Sequence, residues 1–472
     1  MYILRNENSW RTYQSDFIFR RKKKSFFQKF LKFVLIMGIP GFIILGGWHF
    51  PDFKPFFNPD PPPTALYEPD KSETPDPENP NIENQEIETA KLKKEGLKSL
   101  IQDLVFLNAD QNVFSVETAQ DKYTIFTSLD TDLQKDLVSA LKDLKTLDRG
   151  KPQRIAIVAM DVATGSLLAM AGFDLDDPKA NPCVESNYPA ASIFKIVTAT
   201  AAVDSLGYTA HTPLYFNGNK YTLYKGQLVE GKNKHSTQIS LGNAFAESIN
   251  PIFGKLGKNH LGGKKLASYA QAFGFNQTPD SELEFESGRF KVTESEFHTA
   301  ELGSGFNRET MISPIFGAML VTAVLNSGTS LVPHIVNQVE TSQGEIIYTA
   351  KKEPYKTAMT PESANTMIQL MEKTITQGTA KKSFKGFSKD KTLSKLVIGG
   401  KTGSLHNREG TVKYDWFTGF GKERNGDRTL AVSIVVGHRK YIGTRASSYA
   451  KNILKTYFKE SAVTTAQANT TQ

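Results

Sequence analysis

Three short stretches of the chain hold hydroxyl, amine and amide side chains at spacings that let them act together. In YPAASIFKIVTA, residues 188–199, Lys195 is the only charge between Glu185 and Asp204, and Ser192 lies three positions before it. On a helix over 191–203 an i, i+3 pair faces one way. Ile193, Phe194, Ile196, Val197 and Val203 make the rest of that helix apolar. Burial disfavours the charged form of lysine and lowers its pKa. A neutral lysine takes a proton from an adjacent hydroxyl, which is the activated-nucleophile arrangement with lysine in place of histidine. The pair alone leaves a second reading open, a lysine that snorkels to the surface. Ser388 and Lys391 share the spacing in a polar stretch that reads as a solvated loop.

The second stretch is ESIN, residues 247–250, between the helix-like run LGNAFAESI and Pro251. In a turn there, Ser248 offers a hydroxyl for proton relay and Asn250 an amide for substrate. Ser363 and Asn365 match the spacing and read as a polar helix face. The third is GGKTGS, residues 399–404, at the end of an apolar strand. Gly403 would let another backbone approach closely. Lys401 supplies a fixed positive charge and Thr402 a hydroxyl for a carboxylate. A strand with unpaired N–H groups there also binds an extended peptide by strand addition. The bland alternative is a β-turn with an exposed lysine.

These stretches need a frame. RIAIVAMDVATGSLLAMAGF, residues 154–173, is two apolar runs around Asp161–Gly165 and reads as a hairpin. Three more strand-like runs come late, at 396–404, 414–421 and 428–437, and a closing helix takes 447–460. Strands at both ends with helices between them imply α+β, an antiparallel sheet with strands from distant parts of the sequence. Upstream, 91–110 reads as a helix, with Leu97, Leu100, Ile101, Leu104 and Val105 at i, i+3, i+4 spacing. A second helix takes 131–144, with Leu133, Leu137, Leu141 and Leu144 on one face and Asp130 or Thr131 as its cap.

The N-terminal part has a different character. Residues 1–50 carry nine basic side chains against two acidic ones, and residues 51–90 carry two against ten. The basic arm Arg20–Lys24 lies just before FVLIMGIPGFIILGGWHF, residues 33–50. A bilayer takes roughly 20 apolar residues, with tolerance to about 17. The positive-inside rule then places residues 1–32 in the cytoplasm and everything after 50 outside. A cleaved signal peptide fits less well, because its n-region would be long and no A-x-A-like site follows. The basic arm is a membrane flank rather than a nucleic-acid site. The Pro-rich, acidic stretch 51–90 reads as a disordered linker. Next come a small helical lead-in (91–150), the main domain (151–460) and a polar tail (461–472). Cys183 is the one cysteine; it reads as a small buried side chain and cannot form an intrachain disulfide. No H-E-x-x-H, Cys/His cluster or P-loop is present, so no metal and no cofactor is expected.

Taken together, Ser192-Ile-Phe-Lys195, Ser248-Ile-Asn250 and Lys401-Thr-Gly403, in this order, resemble the signature of penicillin-binding proteins and class A β-lactamases. IVAMDVATGSLLAMAG (157–172), ELGSGFNRETMISPIFGAML (301–320), DWFTGF (415–420) and YTIFTSLDTDLQKDL (123–137) are similar to segments of the same family. The resemblance covers roughly residues 120–460. It implies a five-stranded antiparallel sheet flanked by helices plus an all-helical subdomain, behind the N-terminal transmembrane helix. It implies that Ser192 is the acylated nucleophile and Lys195 its base. Ser248 relays the proton to the leaving amine. Asn250, Lys401, Thr402, Gly403 and Ser404 bind substrate, and the backbone N–H groups of Ser192 and Ser404 form the oxyanion hole. The family usually has threonine where this chain has Ser404, a change that a backbone donor survives.

The activity so implied is peptidoglycan D,D-transpeptidation. The donor is a D-Ala-D-Ala stem peptide, the acceptor an amine on a neighbouring strand, and β-lactams are inhibitors. The enzyme would sit in the inner (cytoplasmic) membrane as a single-pass protein with an extracytoplasmic domain. The stretch before residue 150 leaves no room for a glycosyltransferase domain, so a separate membrane glycosyltransferase is expected as partner. Two alternatives remain. One is hydrolysis, as a D,D-carboxypeptidase or β-lactamase; a class A β-lactamase needs a glutamate with asparagine four residues on, and Glu294 and Glu296 have His298 and Ala300 there. The other is a non-catalytic β-lactam sensor or scaffold.

Overall fold

A computed structural model of the chain describes residues 92–119 and 121–459. The basic segment, the apolar run 33–50, the linker and the tail lie outside the described residues. Among the described residues no helix is long and apolar enough to cross a membrane.

The first part runs α1 (Lys94–Ile101), β1 (Val113–Glu117), β2 (Lys122–Thr127), α2 (Thr131–Thr146), β3 (Arg154–Asp161) and β4 (Leu167–Asp174). A helical middle follows: α3 (Lys195–Leu206), α4 (Leu241–Ala246), α5 (Asn250–Lys255), α6 (Gly262–Ala272), α7 (Glu296–Ser304) and α8 (Pro314–Leu325). The last part holds β5 (Val336–Glu340), β6 (Ile346–Thr349), α9 (Pro361–Thr376), β7 (Leu396–His406), β8 (Lys413–Glu423), β9 (Thr429–His438) and α10 (Ala446–Tyr457). Short strands and 3-10 turns fall between them.

Five strands pair antiparallel in the order β7-β8-β9-β3-β4, so the early hairpin closes onto the three late strands, as the apolar runs imply. These runs lack a polar alternation because both faces of the sheet are covered. Ile155, Ile157 and Ala159 of β3, with Leu430, Val432, Ile434 and Val436 of β9, pack with Leu133, Leu137 and Leu141 of α2 and Ile453 and Leu454 of α10. The intervening residues Ala156, Val158, Met160, Ala431 and Val435 point the other way, into a core shared with Ile315, Phe316, Met319 and Leu320 of α8. Period-two side-chain geometry thus splits one apolar strand between two cores. α8 is buried on all sides, which its uninterrupted apolar sequence permits.

The two edges of this sheet are treated differently. The outer edge of β4 is sealed by amides. Asn108 Nδ2 donates to the Gly172 carbonyl at 2.8 Å and its Oδ1 accepts from Gly172 N at 2.9 Å. Fully buried Gln134 makes the matching pair with Met170, at 2.8 and 3.0 Å. The opposite edge strand, β7, carries the 399–404 stretch and pairs only with β8. An exposed row of backbone groups invites a further strand.

The lead-in is not simply helical. The helix expected over 91–110 ends at Ile101, and Val105 is 71% exposed. Residues 113–127 form the hairpin β1–β2, which joins β5 and β6 in a four-stranded sheet ordered β1-β2-β5-β6. These strands find their partner about 200 residues later: Ile125 faces Val339. Local leucine spacing carries no trace of that partner. The second expected helix is α2, at 131–146, and its cap is Asp130, whose carboxylate accepts from Asp132 N and Leu133 N. The family-like segment 301–320 is two helices, α7 and α8, broken by Gly305 in the left-handed region and a short extended stretch at Met311–Ile312.

Asp130→Ala is expected to cost about 1 kcal/mol by uncapping α2. The check is a lower urea midpoint for the full chain with unchanged slope, while Asp130→Asn keeps most of the stability.

Candidate active site

The helix expected over 191–203 begins only at Lys195; Ser192 sits instead in a 3-10 turn, Ala191–Phe194, that leads into α3. The turn is clamped from several sides. Trp416 Nε1 on β8 donates to the Pro189 carbonyl at 3.0 Å, and Ala190 N donates to the Thr310 carbonyl at 2.8 Å. The Phe194 ring stacks on Phe290 at 5.4 Å and meets Phe275 edge-on at 5.5 Å. Ala191 is held at φ +48°, which a non-glycine residue adopts only where its surroundings dictate it. Gly305 permits this: a Cβ there would fall 1.9 Å from the Ala191 carbonyl oxygen.

Lys195, the first residue of α3, is fully buried. Its Nζ lies 2.7 Å from Ser192 Oγ, 2.8 Å from Asn250 Oδ1 and 2.6 Å from the Ser304 carbonyl oxygen. Ser304 ends α7, where carbonyls lack helical partners. The neighbouring Gly303 carbonyl accepts from Thr198 Oγ1 at 2.8 Å. Asn250 is oriented from behind: its Nδ2 donates to the Tyr221 carbonyl at 3.1 Å, so Oδ1 must face the lysine. No carboxylate among the described residues is in salt-bridge range of Lys195. Burial, helped by the positive charge of Lys401, pushes its pKa well below that of a free lysine. The neutral amine has two protons and one lone pair. The carbonyl oxygens of Asn250 and Ser304 can only accept, so they take the two protons. The lone pair is left facing the Ser192 hydroxyl, as general-base chemistry requires.

The second motif meets the third across the cleft. Ser248 lies between α4 and α5 at φ +58°, nearly buried. Its Oγ accepts from Lys401 Nζ at 2.9 Å. Lys401 is fully buried on β7 and burial lowers its pKa to about 7. The fixed charge expected there is therefore replaced by an amine that titrates near neutrality. Aromatic faces line both amines: Phe253 lies 5.5 Å from Lys195 Nζ and Phe245 lies 5.3 Å from Lys401 Nζ. The core of β7 comes close to the nucleophile turn, since a Cβ on Gly403 would lie 3.3 Å from the Ala190 carbonyl oxygen and from Ile193 Cγ1. Thr402 is half-buried and Ser404 is exposed on the open edge.

All the residues singled out from the sequence thus gather where α3, the α4–α5 turn and β7 converge. Sequence reasoning missed three contributors. The Ser304 and Tyr221 carbonyls act through the backbone, which residue type does not report. Thr379, whose hydroxyl lies 2.5 Å from that of Thr402, sits in a stretch with no motif. The decoys lie elsewhere: Ser388 and Lys391 are exposed, as expected, while Ser363 to Asn365 lie on α9 with only Asn365 on its exposed face and Ser363 buried at the helix start. Cys183 is buried with its thiol pushed up to about 12 by desolvation, which suits a packing role.

The site thus combines a sheet edge with two serine–lysine pairs, one built on the buried Lys195 and one on the buried Lys401. Residues 155–459 match the penicillin binding protein transpeptidase domain. The chain belongs to that family. It is 25% identical to the peptidoglycan D,D-transpeptidase PbpA of Mycolicibacterium smegmatis, over 71% of this chain and 73% of the relative. It is 24% identical to stage V sporulation protein D of Bacillus subtilis, over 72% of this chain and 54% of that longer protein. Among solved structures, the ceftriaxone acyl-enzyme of penicillin-binding protein A from Mycobacterium tuberculosis superposes with a TM-score of 0.57 at 19% identity, over 71% of this chain and 80% of that one. The D,D-transpeptidase domain of a peptidoglycan glycosyltransferase from Eggerthella lenta gives 0.58 at 22% identity, over 77% and 86%.

The low pKa of Lys401 has a consequence for stability. Unfolded lysine titrates near 10.5, the folded one near 7. Between those values the unfolded chain holds a proton that the folded chain has lost, so stability rises with pH across the window. Melting temperatures from pH 7 to 10 are expected to show a shallower rise in Lys401→Met than in the wild type.

Proposed function

We propose that the chain is a peptidoglycan D,D-transpeptidase acting through a Ser192 acyl-enzyme. The observation that carries this reading is the buried amine of Lys195, with no carboxylate partner among the described residues, on the Ser192 hydroxyl. Lys195 takes the hydroxyl proton as Oγ attacks the carbonyl carbon between the two terminal D-alanines of a stem peptide. The backbone N–H groups of Ser192 and Ser404 receive the developing oxyanion; each such donor is worth roughly 3 kcal/mol. Ser248, bonded to Lys401, relays the proton taken up by Lys195 to the leaving amine, giving up its own proton and regaining one from Lys195; the C–N bond breaks, the last D-alanine departs and Lys195 is neutral again. An amine of a neighbouring strand then attacks the ester, forms the crosslink and restores the serine. The donor peptide lies along the open edge of β7. Asn250 offers its second amide proton to the substrate, and Lys401, Thr402 and Ser404 surround the terminal carboxylate, with Gly403 giving the backbone room. A β-lactam opens on the same serine but keeps its amine tethered, so the ester persists.

No observation favours a hydrolase. Glu294 and Glu296 are both exposed, and Glu296 pairs with Lys258 at 3.0 Å. The apolar run 33–50 supports a single-pass anchor in the cytoplasmic membrane with this domain outside. The matched domain supports crosslinking, and a membrane glycosyltransferase is the partner we expect to supply the strands.

The test is incubation of the full chain in detergent with a fluorescent penicillin. Stable labelling is expected, abolished in Ser192→Ala and slowed about 100-fold or more in Lys195→Met, which removes the general base. Rapid loss of label would instead identify a hydrolase, and an unlabelled wild type would reject the reading.

A further inference from the structure

The hydroxyls of Thr379 and Thr402 form a 2.5 Å hydrogen bond on the open side of the cleft. Thr379 lies just past α9, and its position is set by α4. Its N–H donates to the carbonyl of Ala246, the last residue of α4, at 3.0 Å, and its Oγ1 lies 3.3 Å from the same oxygen. A Cβ on Gly378 would fall 2.3 Å from that oxygen, so glycine is what lets the chain come this near. The element that carries Ser248 therefore also places a hydroxyl against the Lys-Thr-Gly strand.

Each hydroxyl has one proton, and the count limits what the pair can do. In an empty cleft, Thr402 can donate to Thr379 and Thr379 to the Ala246 carbonyl. A carboxylate in the cleft only accepts. Thr402 must then turn its proton outward, and its oxygen needs a donor behind it. Thr379 is that donor, because the Ala246 carbonyl keeps the Thr379 N–H as its partner and loses nothing essential. A hydroxyl that accepts one hydrogen bond donates a stronger one.

We propose that Thr379 is a positioning residue for substrate recognition: it reverses its hydroxyl so that Thr402 presents its proton to the terminal carboxylate of the donor peptide or of a β-lactam. This rests on the transpeptidase reading. Thr379 acts through Thr402 and does not touch the reacting atoms.

The test compares acylation of the full-length protein by benzylpenicillin and by its methyl ester, which lacks the free carboxylate. For the acid, Thr379→Val is expected to weaken the binding constant about tenfold, the loss falling on binding rather than on the acylation step. For the ester, the variant and the wild type should differ far less. Thr379→Ser keeps the hydroxyl and should restore binding of the acid, and Thr379→Ala should repeat the loss without the added methyl. Equal losses on acid and ester, a loss confined to the acylation step, or no loss at all would each overturn the inference while leaving the transpeptidase reading intact. A folded wild type that neither compound acylates would overturn both.

Discussion

A lysine ammonium does not stay buried without a counter-charge, and that constraint organises this site. Among the described residues Lys195 has three hydrogen-bond partners, all neutral: a hydroxyl, an amide oxygen and a helix-terminal carbonyl. The carbonyl at the end of α7 favours a cation, but burial and the nearby Lys401 outweigh it. That balance favours the uncharged amine, the state the proposed base role needs. Without a counter-charge, a residue that is ordinarily a surface cation is driven toward the neutral amine. A carboxylate in the Asn250 position would restore the ammonium and silence the pair.

The surrounding fold serves two needs, holding that amine dry and leaving a peptide room to approach. Dryness comes from α3, buried from Lys195 through Val203, and from the rings of Phe245 and Phe253. Access comes from the asymmetry of the sheet. Side-chain amides from Asn108 and Gln134 close the β4 edge, while β7 stays open beside Ser192. One sheet thus has a sealed edge and an open one, the open one beside Ser192. The left-handed conformations at Ala191 and Ser248 fix two hydroxyls that a relaxed backbone would point elsewhere.

How much of this the sequence reveals depends on the range of each interaction. The hairpin at 154–173 and the three late strands are legible because a strand buried on both faces must be apolar throughout. Ser192 and Lys195 are legible because they lie three positions apart in one apolar stretch. The hairpin at 113–127 is not, since its partner Val336–Glu340 lies far along the chain and its own pattern competes with a nearby leucine spacing. The state of Lys401 is hidden for a similar reason: its burial depends on α4, about 150 residues earlier. Backbone acceptors such as Ser304 and Tyr221 leave no mark in residue type, and the Thr379–Thr402 contact joins two elements that no motif connects.

The central claim is the protonation state of one side chain. The direct measurement is a titration of the lysine ε-carbons by NMR in protein labelled at lysine, with the Lys195 signal assigned by its disappearance in Lys195→Arg. The account predicts a midpoint well below 10.5, so that the amine is uncharged at the pH where Ser192 is acylated. A Lys195 signal that stays in its charged form up to pH 10 would contradict it.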